Sequence, residues 1–283
     1  MLLNSARQVS LARLRVSKAA GPMSSGIEVE RPSDDPARWA AGRRARVRTQ
    51  SSELRGRALS TSNARLSESD RVLASVGDIL SRARQLAVLS ANATQNQQSR
   101  NATSQEIKAL FQEALLSANS RGLDGEYLLA GTSGDAPPFD AAGVYQGDAN
   151  ARTIETAEGN MLEVTITGTV FTVAAGVDVF AELTAFQTAL QTNDLVGIQN
   201  AIDAFDEGGH QVSLGRAEVG GLQNLVDDAE DARTEFELVL AEVHQRAVEV
   251  DPIAAASELA LGAQALEAAQ ALAQRIISIT QVA

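Results

Sequence analysis

The distribution of proline constrains the fold of this 283-residue chain more than any other feature of its sequence. Three of the six prolines lie between residues 21 and 36, and none occurs from Ala37 to Ala136. Proline interrupts helical hydrogen bonding, so a long stretch without it can form very long helices. The segment Arg31-Pro32-Ser33-Asp34-Asp35-Pro36 therefore predicts a stiff connector that leads into a long helical body.

The residues before this connector carry an apolar stripe. Leu2, Val9 and Val16 recur every seven residues, which is typical of an amphipathic helix. Gly21 and Pro22 are expected to end this helix, because proline disfavours helical geometry in the residue before it.

The connector also contains a helix-start signal. Asp35 is expected to cap a helix whose first residue is Pro36, with Ser33 and Asp34 adding acceptors near the positive helix end. Adjacent carboxylates can also bind a metal ion, but at a helix start they are usually caps, so we predict no metal site here.

The long body reads as two helices. The first is expected from Pro36 to about Asn96, roughly 90 Å at ~1.5 Å per residue. Thr103 and Glu106 match a capping box and predict the start of the second, which ends near Gly122. The coiled-coil-like repeat of the first helix consists of Leu66, Leu73, Leu80 and Ala87.

The following residues change in character and predict a small β-containing insert. Segments 161–167 and 169–173 read as strands separated by Gly168. Two short helices are expected at about 179–191 and 194–206, before a break at Gly208-Gly209.

The last third returns to helix. Asp251-Pro252 divides a long helix from a closing one. The long helix carries the heptad set Leu222, Ala229, Phe236, Val243 and Val250, and the closing stripe includes Leu259, Leu266, Leu272, Ile276 and Ile279.

The predicted fold is mostly α with a small β-containing insert, built on a long antiparallel helical bundle or coiled coil formed by the N- and C-terminal regions. We expect three domains: terminal assembly helices (1–35 plus 252–283), a long-helix bundle (36–121 plus 214–251) and an outward α/β insert (122–213).

Composition excludes several function classes. The chain has no cysteine and two histidines, which rules out disulfides and Cys- or His-rich metal sites. No run approaches 18 apolar residues, and basic residues interrupt any N-terminal signal-peptide core. No phosphate loop, dinucleotide fingerprint or nucleophile motif occurs, so we expect neither enzymatic activity nor a cofactor.

Charge is unevenly distributed in a chain of net charge −12. Residues 1–60 hold twelve basic and five acidic residues, whereas the remainder holds twelve and 31. The cluster between Arg43 and Arg57 could contact nucleic-acid phosphates. Because only Trp39 is interleaved with it, a solvated or intersubunit face that meets acidic surfaces is the better interpretation.

Several short motifs together resemble the bacterial flagellin superfamily, in particular its hook-filament junction branch, hook-associated protein type 3. The connector follows Met23-Ser24-Ser25-Gly26, and the insert contains Tyr127–Thr132 and Tyr145–Asp148. Their order and spacing make the combination specific. The signature residues are Arg31, Pro32, Ser33, Asp34, Asp35, Pro36, Tyr127, Ala130, Gly131, Tyr145, Gly147 and Asp148.

The resemblance implies an extracellular structural subunit at the hook-filament junction, exported by the flagellar type III apparatus without a cleaved signal. Its implied partners are other axial proteins (hook-associated protein type 1 and flagellin), copies of itself and an export chaperone, with neither nucleic acid nor membrane. We expect the subunit interface to consist of Leu2, Val9, Val16, Leu259, Leu266, Leu272, Ile276 and Ile279. The alternatives are a short filament flagellin and, more remotely, a helical nucleic-acid-binding protein.

Overall fold

A computed structural model describes residues 2–92 and 95–282, with side chains described for 6–92 and 95–275. In chain order its elements are α1 Leu2–Ser25, α2 Pro36–Ser90, α3 Gln97–Ala118, β1 Thr153–Ala157, β2 Asn160–Glu163, a 3₁₀ turn Gly168–Phe171, α4 Val179–Thr192, α5 Leu195–Val248 and α6 Pro252–Val282. The strands pair antiparallel. The predicted mostly α fold with a small β-containing insert is confirmed. Among the described residues, no helix has both the length and the apolar character needed to cross a membrane.

The described chain forms two compact units. One runs to Ser52 and resumes at Glu235, and the other is Glu53–Thr234. Helices α2 and α5 contribute residues to both units. The first unit also contains the two terminal helices, because α1 packs along α6.

The main core lies in the Glu53–Thr234 unit, and α2 supplies one wall of it. The heptad predicted for α2 is buried and extends one repeat earlier, to Leu59. Aromatic rings fill the centre: the Phe139 ring lies 4.9 Å from that of Phe180 and 6.0 Å from that of Phe171. Such edge and tilted contacts add to the stabilisation from buried area.

The heptad of α5 has the predicted period but a different phase. Phe236 and Val243 are 41% and 43% exposed, whereas Leu222 and Ala229 are partly buried. Two heptad positions three or four residues apart share one helical face, so the sequence pattern alone does not decide which of them is deepest. The buried heptad positions are Ile198, Phe205, Val212, Val219, Val226, Leu240 and Ala247, and Ala201 is buried as well.

The predicted end of the first helix at Gly21-Pro22 is wrong, because α1 includes Pro22 and continues to Ser25. Pro22 lies one turn from the helix end, where its missing N–H removes one hydrogen bond, to the carbonyl of Lys18. Lys18 is exposed, so water can satisfy that carbonyl.

The capping box at Thr103 and Glu106 does not start a helix. The α3 helix begins at Gln97, and its cap is Asn96, whose side chain accepts a hydrogen bond from the Ser99 N–H. Thr103 lies inside α3 and its hydroxyl donates to the Ser99 carbonyl. Helix α3 is therefore capped by Asn96 and not by Thr103.

The two predicted strands are only partly correct. Residues 161–163 belong to β2, but its partner is β1 rather than 169–173. The segment Gly168–Phe171 forms a 3₁₀ turn instead. Val170 and Phe171 are buried there, so their packing overrides the apolar alternation that favoured a strand.

The helix predicted to end before Gly208-Gly209 does not end there. Helix α5 runs through both glycines without interruption. Glycine inside a helix costs only about 1 kcal/mol relative to alanine, which tertiary packing can offset. Gly208 is buried, close to Leu80 of α2 and to Val177 and Val179.

Candidate assembly surface

The connector signature forms a capped turn. Helix α2 begins at Pro36, and Asp35 Oδ1 accepts hydrogen bonds from the N–H groups of Ala37 and Arg38, each at 3.0 Å. The predicted cap at Asp35 therefore occurs. Asp34 does not serve the helix end: its Oδ2 accepts from the N–H groups of Glu30 and Arg31, at 3.2 and 2.9 Å, and so closes the connector on itself.

The residues just before the connector are hydrogen-bonded to the end of α5 and to the segment between α5 and α6. The N–H of Glu28 donates to the Val248 carbonyl at 2.8 Å, and the N–H of Val250 donates to the Gly26 carbonyl at 3.1 Å. These hydrogen bonds join two segments of the chain at a crossing, between the terminal helices and the longer ones.

Arg38 reinforces this crossing and was not predicted from the sequence. Its Nε donates to the Ala247 carbonyl at 3.2 Å and its Nη2 to the Glu249 carbonyl at 3.3 Å. Its Nη1 forms an ion pair with Glu28 at 2.6 Å. One guanidinium thus bonds both segments of the crossing.

The closing helix repeats the Asp-Pro start of α2. Helix α6 begins at Pro252, and Asp251 Oδ1 accepts from the N–H groups of Ile253 and Ala254, at 2.8 and 3.3 Å. Helices α2 and α6 therefore both begin with an aspartate cap followed by proline.

Four of the predicted interface residues lie half-buried on the paired helices: Val9, Val16, Leu259 and Leu266. Val16 lies against Gly262, where an added Cβ would be 3.4 Å from Val16 Cγ2. This spacing brings the helix backbones close together. This face therefore contributes to the packing of α1 against α6 within one chain.

A second apolar face on these helices is exposed. Leu14 is 69% exposed, Leu261 67% and the predicted Leu272 60%. Leu261 and Leu272 are eleven residues apart, or about three helical turns, so they share one side of α6. The sequence analysis missed Leu14 and Leu261 because they lie outside the predicted apolar stripes. The available signal was that each is a leucine outside its stripe. The predicted side chains of Leu2, Ile276 and Ile279 lie outside the described residues.

The two signature segments of the insert bind each other through Asp148. Its carboxylate accepts from the Thr132 N–H at 2.9 Å, the Thr132 hydroxyl at 2.6 Å and the Ser133 hydroxyl at 2.8 Å. These hydrogen bonds, led by that of the Thr132 hydroxyl, hold the pKa of Asp148 well below its usual range. Gly131 has φ +73°, and a Cβ there would collide with Asp148.

Tyr145 adds two hydrogen bonds that join the same two segments. Its hydroxyl lies 2.8 Å from the Asp148 carbonyl and 3.0 Å from the Leu129 carbonyl, and burial raises its pKa. Gly147 packs against the phenol, where a Cβ would be 2.6 Å from the hydroxyl oxygen. Ala130 is fully buried beside it.

Tyr127 holds the start of the same loop. Its ring carries the Arg121 guanidinium at 4.3 Å from the centroid, and Arg121 Nη2 donates to its hydroxyl at 3.1 Å. The insert signature is therefore a set of structural contacts. Within the described ranges, no group of three or more His, Asp and Glu residues is arranged to hold a metal ion.

Comparison with known proteins shows similarity to bacterial flagellins. Residues 1–134 match the bacterial flagellin N-terminal helical region. A flagellin of Halalkalibacterium halodurans is 27% identical over 228 residues, which are 80% of this chain and 74% of that protein.

Solved structures of flagellar hook-associated proteins share the fold of this chain. A flagellar hook-associated protein of Vibrio parahaemolyticus has a TM-score of 0.70 at 21% identity, over 76% of this chain and 99% of that one. Hook-associated protein 3 of Legionella pneumophila has a TM-score of 0.63 at 13% identity, over 71% and 97% of the two chains. The match over residues 1–134 and the flagellin relative confirm the resemblance to the flagellin superfamily, and the solved structures show that the chain has the fold of hook-associated proteins.

Proposed function

We propose that this chain is a structural subunit of the bacterial flagellum that joins hook to filament and assembles through its terminal helices. One observation carries the proposal: the paired helices α1 and α6 leave Leu14, Leu261 and Leu272 exposed on a chain with the hook-associated fold. Burying one such side chain at an interface contributes about 1.5–3 kcal/mol, so a ring of subunits would gain substantially.

The predicted heptad face has a distinct role in this proposal. Val9, Val16, Leu259 and Leu266 hold α1 against α6, and the exposed leucines then contact neighbouring subunits. Pairing fixes the exposed faces in one orientation, which lowers the entropy lost on assembly. The signature residues from Arg31 to Pro36 supply the joint that carries this pair.

The proposed partners are hook-associated protein type 1 on one side, flagellin on the other, and copies of this chain. A cytoplasmic export chaperone would bind the chain before assembly. The location is extracellular, at the hook-filament junction, after type III export without a cleaved signal. The chain acts without nucleic acid, membrane or bond-making chemistry.

A short filament flagellin is the second candidate, because the curated relative is a flagellin. The solved structures with the higher TM-scores are named as hook-associated proteins, which favours the junction role. Immunogold labelling separates the two: a junction protein is labelled only at the filament base, and a filament flagellin along the whole length.

Charge substitutions on the exposed face test the assembly surface. We expect Leu14→Asp and Leu261→Asp to abolish motility in a complemented deletion strain, because a buried unpaired carboxylate opposes the interface. Both residues are already exposed, so circular dichroism should show the same helix content and unfolding temperature as the natural chain.

Leu123→Asp is the matched control. Leu123 is 88% exposed and belongs to the other unit, so this variant should remain motile. Motile cells with Leu14→Asp and Leu261→Asp, or non-motile cells with all three variants, would contradict the assigned surface.

A further inference from the structure

A groove of about 360 Å³ separates α2 from the β-hairpin within the Glu53–Thr234 unit. Its polar lining is Arg57, Thr61, Ser62, Arg65, Asp124, Arg152, Thr153 and Thr165. The apolar part of the lining is Ala58, Ile154 and Val164. None of its lining residues belongs to the terminal helices, so the assembly proposal does not use it.

Two polar groups that line this groove make no hydrogen bond to the described residues, and one of them, the Arg65 Nε–H, is buried away from solvent. Ser62 is 8% exposed, and its hydroxyl is bonded to no described atom. Arg65 is 9% exposed; its Nη1 binds Asp124 at 2.8 Å and its Nη2 the Tyr127 carbonyl, but its Nε–H has no partner. Buried polar groups are nearly always satisfied, so each exception requires an explanation.

The groove also carries excess positive charge. Arg65 pairs with Asp124, and Arg152 pairs with Glu126. Arg57 is exposed, and its guanidinium contacts no carboxylate in the described part of the chain. Burial, followed by the positive charge of Arg152, lowers the pKa of Arg65, as expected where cations are incompletely compensated.

We propose that this groove binds a short-chain carboxylate. The carboxylate would accept hydrogen bonds from the guanidinium of Arg57, the hydroxyl of Ser62 and the Nε–H of Arg65. The aliphatic part of the ligand would contact Ala58, Ile154 and Val164. One uncompensated positive charge matches a monocarboxylate better than a phosphate dianion, and the apolar lining requires an aliphatic body. This inference is independent of the proposed junction role.

The test is an NMR titration of the full-length protein, labelled with ¹⁵N-arginine, against sodium butanoate at constant ionic strength. We expect saturable shifts of the Arg57 and Arg65 Nε–H signals at one ligand per chain. Arg57→Gln and Ser62→Ala should each weaken binding, Arg57→Gln by about tenfold or more because a charge-assisted hydrogen bond is lost.

Arg46→Gln is the matched control, because Arg46 is an exposed arginine of the same helix outside the groove. Its Kd for butanoate should equal that of the natural chain. Shifts that do not saturate, tighter binding of inorganic phosphate than of butanoate, or equal weakening by Arg46→Gln would each overturn the proposal.

Discussion

At the scale of single residues, Asp35 and Arg38 hold the start of α2 through contacts of very different range. Asp35 caps α2 as expected, because both the cap and Pro36 are adjacent in the chain. Arg38 bonds carbonyls 209 and 211 positions away, so no local pattern indicates its role. The predicted interface residues of the terminal helices remain a prediction.

Asp148 offers a test at the residue scale. Hydrogen bonds from the Thr132 and Ser133 hydroxyls lower its pKa below the usual 3.8, so the folded state keeps this carboxylate ionised to lower pH than the unfolded state does. The stabilisation is therefore fully present above about pH 4 and is lost as the pH falls through the folded-state pKa.

We expect Asp148→Asn to lower the unfolding temperature at pH 7, and the difference from the natural chain to shrink below pH 4. Thermal melts at a series of pH values measure this. Asp135→Asn removes an exposed carboxylate with no hydrogen bond in the described chain and should leave the profile unchanged. A pH-independent difference for Asp148→Asn would refute the assigned ionisation.

At the scale of elements, repeating patterns predicted helix existence better than helix boundaries. The α2 heptad identified its buried face because Leu66, Leu73, Leu80 and Ala87 are all apolar. Helix α5 was divided wrongly at Gly208-Gly209, because the contacts that favour small residues along it come from distant elements. Gly215 shows this most clearly: a Cβ there would lie 2.5 Å from Val170 Cγ2 in the 3₁₀ turn.

Two glycines of α5 should therefore respond oppositely to alanine. Gly215→Ala should destabilise the protein by about 1–3 kcal/mol, because the added methyl overpacks the contact with Val170. Gly221 is exposed with no heavy atom within 4 Å of an added Cβ, so Gly221→Ala should stabilise it by about 0.5–1 kcal/mol. Urea unfolding monitored by circular dichroism measures both. Equal effects at the two positions would mean that Gly215 is not closely packed.

At the scale of the whole molecule, the sequence predicted a helix at each end of the chain and long helices between them. It did not predict which apolar face of each terminal helix would remain exposed, because burial depends on how α1 and α6 pack. The three domains predicted from the sequence follow changes in composition along the chain. The described residues form two compact units, which depend on contacts between distant segments.

Electron microscopy of cells that lack this gene would test the junction role most directly. If the chain joins hook to filament, the cells should bear hooks without attached filaments, and flagellin should accumulate in the medium. Complementation with the natural chain should restore filaments. Normal filaments on the hooks of the deletion strain would contradict the junction role, and loss of the hooks themselves would place the chain earlier in assembly.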